Sequence, residues 1–188
     1  MTEQACIQDR TDKTDWYAGP EDFRRIFTED MHGLHQLSFL LTRDLQKAEQ
    51  CFVGGFEDCV TGNPVFREWA RSWAKRAIVQ NAIRELKPRP GLSSSPRSAA
   101  IFLDIGQLSS DPANHFEIDA VFGLEDYDRF VFVMSVLEHY SPHDCALLLG
   151  CSVPEVRKAH IRALNDLAHS PAHGSFPTPD FCPGEEVK

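Results

Sequence analysis

Apolar residues recur at helical spacing over the first half of the chain. From residue 23 onward, seven of them follow one another mostly at steps of three or four residues, which is the period of one buried helix face. They are Phe23, Ile26, Phe27, Met31, Leu34, Leu37 and Leu41. The pattern predicts one helix, with a possible break near Gly33.

A second helical face follows, and Thr42 is its candidate N-cap. Its apolar positions are Leu45, Ala48, Phe52 and Phe56. Gly54 and Gly55 lie inside this helix, where each glycine costs about 1 kcal/mol relative to alanine. We therefore expect the helix to bend or fray at the pair. Alanine at both positions is expected to raise the stability by about 1 to 2 kcal/mol.

A third helix, after the turn sequence TGNP, carries a row of cations. Its apolar face comprises Phe66, Ala70, Trp73, Ala77 and Ile78. We therefore expect Trp73 in the core, whereas the pattern leaves the burial of Trp69 open. On another face Arg67, Arg71 and Lys75 recur at i, i+4 and i+8, and we call these three residues the basic ridge. Residues 67–89 hold seven basic and two acidic residues, so this is the most positive part of the chain.

Residues 126–167 have the pattern of three helices that end in a helix-turn-helix. The first helix places one buried face at Phe130, Val133, Met134 and Leu137. Ser141 is the N-cap of the second helix, with Pro142 in its first turn, and Gly150 ends it. The last helix starts at Ser152, with Glu155 at the capping-box position. Two helices that meet at a tight glycine turn are typical of DNA-binding proteins.

Other candidate chemistry is sparse. His160 shares the predicted inward stripe of the last helix with Leu164, so we expect a hydrogen-bonded core histidine. His139, His143 and Cys145 lie close in sequence but straddle a helix boundary without an evident fourth ligand, so we expect no metal site and no cofactor. No nucleophile with its base, phosphate loop or catalytic carboxylate pair is recognisable, and we do not expect an enzyme.

Composition is that of a globular protein, with 188 residues and 42% hydrophobic content. No apolar run approaches the roughly 20 residues that cross a bilayer, and the polar start MTEQACIQDR lacks a signal-peptide core. We therefore expect a cytoplasmic protein without membrane insertion. The six cysteines form no C-x-x-C pair, which favours buried, reduced thiols.

The predicted fold class is all-α, with two small helical modules joined by a linker. Residues 1–20 are expected to be a mobile N-terminal arm and residues 21–87 a bundle of three to four helices. Residues 88–120 are rich in Pro, Ser and Gly and are expected to be the linker. The helix-turn-helix module spans 121–169, and a proline-rich tail covers 170–188.

The order of these modules resembles the RNA polymerase sigma factors, specifically the small group of extracytoplasmic-function type. The stretch LHQLSFLLTRDLQKAEQCFVGGF is similar to their first conserved region, and FREWARSWAKRAIVQNAI to the segment that follows it. The stretch LEDYDRFVFVMSVLEHYSPHDCALLLGCSVPEVRKAHIRAL resembles their C-terminal helix-turn-helix region. The resemblance covers residues 23–86 and 124–167. It implies an alternative sigma factor, a transcription-initiation subunit that binds core RNA polymerase and promoter DNA.

Candidate site residues follow from the helix-turn-helix pattern and from the resemblance. The pattern places Arg157, Lys158 and Arg162 against phosphates or base edges of DNA, with Ser152 and first-turn N–H groups holding a phosphate. The resemblance implies that the opened promoter strand is held by Arg67, Trp69, Arg71 and Lys75, because aromatic faces stack on bases and cations follow the backbone. It also implies that polymerase is contacted by Glu49, Gln50 and Val53.

Charge supports a second hypothesis. The net charge is -9, and residues 124–168 hold seven acidic and four basic residues, whereas proteins that bind DNA unaided are usually basic. An isolated module of this charge should bind DNA poorly, although tethering to polymerase would raise its effective concentration. The alternative is a sigma-like protein-interaction module that binds an anti-sigma factor or another regulator without reading DNA.

Overall fold

The computed structural model describes residues 16–91 and 119–169, and in these ranges the chain is all-α apart from one two-stranded ribbon. The N-terminal module (residues 16–91) contains β1 (Tyr17–Ala18), α1 (Pro20–Glu29), α2 (Met31–Thr42), α3 (Leu45–Thr61), β2 (Val65–Phe66), a 3-10 turn (Arg67–Trp69) and α4 (Ala70–Leu86). The C-terminal module (residues 119–169) starts with a helical stretch at 119–123 and continues with α5 (Asp126–Phe132), a π-helical turn (Val133–Leu137), α6 (Pro142–Leu149) and α7 (Val153–Ala168). The predicted all-α fold class is confirmed.

The first predicted helix is in fact two helices that meet at Asp30. The backbone N–H of Asp30 donates to Ile26 O and so ends α1, while its carbonyl accepts from Leu34 N in the first turn of α2. Gly33 lies inside α2, where a Cβ would come within 2.5 Å of Asp30 Oδ1. The expected break near Gly33 is therefore confirmed, and it lies at Asp30, three residues before the glycine. The glycine makes room for the side chain of the residue at the actual break.

The N-cap of α3 is Asp44 and not Thr42. Asp44 accepts a hydrogen bond from Lys47 N at 3.0 Å, whereas Thr42 ends α2 and its hydroxyl donates to Ser38 O. Arg43 lies between them with a positive φ of 56°, and its N–H donates to Phe39 O as the C-cap of α2. A left-handed residue is a common way to end a helix, and it turns the chain here so that an aspartate can start the next one.

The glycine pair allows α3 and α4 to pack closely. A Cβ on Gly55 would lie 2.8 Å from Ile78 Cγ1 and 3.2 Å from the Ile78 backbone nitrogen. A Cβ on Gly54 would lie 2.7 Å from Asn81 Oδ1. Helix α3 runs through both glycines without interruption. The expected fraying at the pair is therefore wrong, and the absence of a side chain allows the close contact between the two helices.

Part of the predicted mobile arm is ordered. Tyr17 and Ala18 form β1 and pair in antiparallel register with Phe66 and Val65. The backbone N–H of Arg67 extends this ribbon by donating to the carbonyl of Trp16 at 2.9 Å. A two-residue strand is too short to produce a recognisable alternation of polar and apolar residues, which is why the sequence gives no sign of it.

The caps of the helix-turn-helix are confirmed. Ser141 accepts from Asp144 N, Gly150 ends α6 with φ 65°, and Ser152 opens α7 with a capping box. Of the four residues predicted to share the buried face of the preceding helix, Leu137 is exposed. It falls in the π-helical turn, whose wider turns rotate later residues off the face that an α-helix would keep.

The two modules pack against each other. Helix α2 contacts α5 and the π-helical turn, and α4 contacts α6. Buried residues of both modules belong to one hydrophobic cluster. Most of the predicted linker and the whole predicted tail lie outside the described residues. Within residues 16–91 and 119–169, every helix falls short of the length and apolar character that crossing a membrane requires.

Candidate nucleic-acid and protein interfaces

The N-terminus of α7, where a phosphate was expected, is occupied by a side chain of the same helix. Glu155 Oε2 accepts from the Ser152 N–H at 2.8 Å and from the Ser152 hydroxyl at 2.7 Å. These hydrogen bonds, led by the backbone N–H, lower the pKa of Glu155. A carboxylate at this position accepts the hydrogen bond from the Ser152 N–H and repels a phosphate. This geometry argues against the predicted role of Ser152 in holding a phosphate.

The Arg162 side chain forms an ion pair within the fold. Its Nε and Nη2 donate to the two carboxylate oxygens of Asp128 at 2.8 and 2.6 Å. Asp128 is buried on α5, while half of the Arg162 side chain surface is exposed. The hydrogen bonds to Asp128 raise the pKa of Arg162. The arginine that was expected to face DNA therefore fixes α7 to α5.

Arg157 and Lys158 remain available on α7. Both are exposed, and neither forms an ion pair within the described part of the chain. The surface beside them is apolar, because Ile161 is 58% exposed and Leu164 is 43% exposed. Leu164 was expected to face inward, but the buried positions of α7 are Val156, Ala159 and Ala163. The outer face of this helix thus combines two cations with two large aliphatic side chains.

His160 has the structural role expected of it. Its Nδ1 lies 2.8 Å from the hydroxyl of Ser135, which is in the π-helical turn and also donates to Val131 O. The ring is half-buried. The contact ties α7 to the π-helical turn alongside the Arg162 pair.

Each cation of the basic ridge faces an acid from another element. Arg67 Nη2 lies 3.2 Å from Asp22 Oδ2, and Arg71 lies 3.4 Å from Glu29. Lys75 Nζ lies 2.8 Å from Glu138 Oε2, which belongs to the C-terminal module. Arg71 and Glu29 are both exposed, so their pair contributes only about 0 to 1 kcal/mol, whereas the side chains of Asp22 and Glu138 are largely buried. All three cations of the ridge are neutralised in the folded chain.

Exposed aromatic rings lie next to the ridge. Trp69 is 57% exposed and meets Phe66 edge to face at 5.2 Å, and Phe66 stacks on Tyr17 at 4.8 Å. Trp73 was expected in the core, but it is 37% exposed. The core positions of α4 are filled by Ala70, Ala74, Ala77, Ile78, Val79 and Ala82. Small residues let α4 approach its neighbours closely and leave the large indole outside.

Glu49, Gln50 and Val53 lie together on one exposed face of α3. The opposite face buries Ala48, Cys51, Gly55 and Cys59. The structure therefore brings the three predicted polymerase-contact residues to one accessible surface. Their role as a contact stays a prediction.

All four described cysteines are free thiols, of which Cys51, Cys59 and Cys145 are buried, whereas Cys151 is half-buried and accepts a hydrogen bond from the Tyr127 hydroxyl. Burial raises the pKa of Cys51 and of Cys145 to about 11 and that of Cys59 to about 12. Thiols with raised pKa values are poor nucleophiles at neutral pH. Among the described residues no group of three or more His, Cys, Asp or Glu side chains is arranged to hold a metal.

Comparisons with known proteins add a likeness to solved structures. No protein-family model matches the chain, and no curated protein sequence matches it significantly. Among solved structures, the chain is similar to the sigma factor RpoE from Bartonella quintana, in its co-crystal structure with the anti-sigma factor NepR. The sequence identity is 17% and the TM-score is 0.42, with 78% of this chain and 94% of that chain covered.

Proposed function

We propose that this chain is a sigma-like protein-interaction module that binds an anti-sigma factor or another protein regulator and does not read DNA by itself. The observation that carries the proposal is the pairing of Arg162 with the buried Asp128. If Arg162 turned to a DNA phosphate, a buried carboxylate would be left without its partner. Because half of Arg162 is solvated, we expect that loss to cost about 1 to 2 kcal/mol, compared with about 0 to 1 kcal/mol for an exposed ion pair.

The exposed chemistry of α7 supports the same proposal. Ile161 and Leu164 lie on the outer surface of the helix that would have to enter a DNA groove. Large aliphatic side chains contribute little binding free energy when they face phosphates and water, but they contribute favourable free energy when they are buried against a protein. The net charge of -9 adds a repulsion from DNA that a protein partner need not share.

A salt titration tests the claim that the chain does not read DNA by itself. Because Arg162 is paired with Asp128, only Arg157 and Lys158 on α7 are available to contact phosphates. Each phosphate contact contributes about 0.9 to the slope of log affinity against log salt concentration. Fluorescence anisotropy with labelled duplex DNA should therefore give weak binding, little sequence preference and a slope of about -2. Tight, sequence-dependent binding with a steep slope would refute the proposal.

A photo-crosslinker at position 161 tests the claim that α7 binds a protein partner. Ile161 is at the centre of the exposed α7 surface, so a crosslinking amino acid there reports what covers this helix in the cell. The proposal predicts an adduct whose mobility shift resists DNase. The same crosslinker at Glu57, an exposed residue of α3, controls for adducts that do not depend on α7. A shift that DNase removes would assign α7 to DNA instead.

The second candidate function is that of a working alternative sigma factor. The exposed face of Glu49, Gln50 and Val53 favours it, since this is where the family resemblance puts polymerase. A direct binding assay with core RNA polymerase distinguishes the candidates. Val53→Glu changes one exposed side chain and should abolish polymerase binding if this face is the contact. The interaction-module proposal expects no polymerase binding that depends on Val53.

A further inference from the structure

The large aromatic side chains that the described residues expose are concentrated in one region of the N-terminal module. They are Trp16, Tyr17, Phe66, Trp69 and Trp73, and we call these five residues the aromatic surface. The other large apolar side chains exposed in residues 16–91 and 119–169 are not aromatic and are distributed over α2, α3, the π-helical turn, α6 and α7. Exposed apolar patches mark interaction sites, and tryptophan and tyrosine are enriched in protein interfaces.

The β1–β2 ribbon presents two of these rings. Tyr17 pairs with Phe66 across the ribbon, and Ala18 pairs with Val65. Because side chains alternate between the two faces of a strand, the buried Ala18 and Val65 face the core while Tyr17 and Phe66 face outward. The Tyr17 and Phe66 rings stack with centroids 4.8 Å apart, and the Trp69 ring stands at 82° to that of Phe66. The exposed rings therefore form two walls of a corner.

The aromatic surface also carries hydrogen-bond donors without partners. The Tyr17 hydroxyl and the indole N–H groups of Trp69 and Trp73 form no hydrogen bond with another described residue. An indole N–H can only donate, and a phenol hydroxyl can donate as well as accept. A segment that binds here should therefore offer carbonyl oxygens as well as an apolar surface.

The charges around the aromatic surface cancel. Four arginines lie on α1 and at the start of α4, next to the ribbon, and each of them forms an ion pair with an acid of α1. The pairs are Arg24–Glu21, Arg25–Asp22, Arg67–Asp22 and Arg71–Glu29. Glu68, between Arg67 and Trp69, adds a further exposed carboxylate. A groove that follows a single strand of nucleic acid is positively charged, so the neutral surroundings here favour an uncharged occupant.

We propose that the aromatic surface binds a proline-rich, uncharged segment of a partner protein in the polyproline II conformation. Proline has no backbone N–H and this helix has no internal hydrogen bonds, so its carbonyl oxygens can accept from Tyr17, Trp69 and Trp73. Its pyrrolidine rings pack on aromatic faces, and the preformed conformation loses little entropy on binding. The inference goes beyond the proposed function, because it assigns a surface of the N-terminal module to a different kind of partner.

Binding of a labelled oligoproline to the full-length chain tests the proposal. The probe has about ten residues, which span about 31 Å as a polyproline II helix. A glycine–serine peptide of the same length is the control, because it has no preformed conformation. Fluorescence anisotropy should show saturable binding of the oligoproline and no binding of the control. All three tryptophans of the chain belong to the aromatic surface, so their emission should shift to shorter wavelength on binding.

Equal binding of the two peptides, or unchanged tryptophan emission on binding, would overturn the proposal. Two variants then locate the contact. Trp69→Ala removes one wall of the corner and should weaken oligoproline binding by about tenfold. Tyr17→Phe keeps the stacked ring and removes only the hydroxyl, so the chain should fold and the affinity should fall by about threefold.

Leu147→Ala is the matched control for these variants. It removes a similarly exposed apolar side chain from α6, in the other module, and should leave the affinity for oligoproline unchanged. Wild-type affinity in both Trp69→Ala and Tyr17→Phe, or an equal loss in Leu147→Ala, would overturn the assignment to the aromatic surface.

Other occupants of the aromatic surface give different results. A labelled oligodeoxythymidylate of about 20 nucleotides that binds more tightly than the oligoproline, and loses affinity in Trp69→Ala, would assign the surface to a single strand. Emission typical of buried indoles in the chain alone would mean that the surface is already covered, by a second copy if the emission depends on protein concentration and otherwise by another segment of the chain. Each of these results contradicts the proposal. None of the measurements involves α7, so this proposal and the proposed function can fail separately.

Discussion

Arg162 and Asp128 form a two-point ion pair that joins α7 to α5, with donor to acceptor distances of 2.8 and 2.6 Å. The carboxylate is buried and the arginine is half exposed. A residue that the helix-turn-helix pattern assigns to DNA therefore has a structural partner inside the module. Only the cations of α7 that have no such partner within the fold are candidates for contact with DNA or a protein.

Removal of this pair should destabilise the chain. Arg162→Gln leaves the Asp128 carboxylate buried without its partner, and because half of the arginine is solvated we expect a loss of about 1 to 2 kcal/mol, below the 3 to 5 kcal/mol of a fully buried pair. Arg157→Gln on the same helix should change the stability by less than about 0.5 kcal/mol. Urea unfolding of both variants makes the comparison. Equal stabilities would mean that Arg162 has no role in holding α7.

The glycine pair in α3 gives a prediction opposite to the one that helix propensity suggests. Gly55→Ala should lower the unfolding free energy by about 1 to 3 kcal/mol, because the new Cβ meets the Ile78 backbone and α4 must move. Gly54→Ala meets only the end of the Asn81 side chain and should cost less. Urea unfolding of the two single variants decides the point. A gain in stability for Gly55→Ala would show that the helices are not in close contact there.

Acid should weaken the N-terminal module through Asp22. A hydrogen bond from the Gly19 N–H, with the charge of Arg67, lowers the pKa of Asp22 below its ordinary 3.8. The folded state therefore binds fewer protons than the unfolded state just below pH 3.8, and the stabilisation present above that pH is lost as the pH falls through the folded-state pKa.

Asp22→Asn tests this dependence. The variant should be less stable than the wild type by roughly 1 kcal/mol at neutral pH, and the difference should shrink as the pH is lowered below 3.8. Glu21→Gln, a change at the exposed neighbour, controls for the removal of one negative charge from the first turn of α1. Urea unfolding at a series of pH values measures both. A difference that stays constant with pH would contradict the assignment to Asp22.

Local signals account for what the sequence predicts well. The caps at Ser141, Gly150 and Ser152 depend on residues within one helical turn, so their chemistry is visible in the sequence and is confirmed. The burial of Leu137 is mispredicted because a π-helical turn changes the period, and no local residue type marks such a turn.

Contacts between distant residues account for what the sequence does not predict. Lys75 pairs with Glu138, which lies in the other module, and Arg67 pairs with Asp22. Periodicity identifies the ridge of cations but gives no information on which acids will face it. The exposure of Trp73 has the same origin, since it depends on how closely the alanine-rich face of α4 packs against its neighbours.

Run-off transcription tests the central claim most directly. Core RNA polymerase, the purified chain and a genomic promoter library are combined, with Arg157→Glu/Lys158→Glu as the matched variant. Our account predicts no transcript beyond that of core enzyme alone, for either protein, because the α7 surface serves a protein partner. A promoter-specific transcript that requires the wild-type chain and disappears in the double variant would contradict the account and establish a working sigma factor.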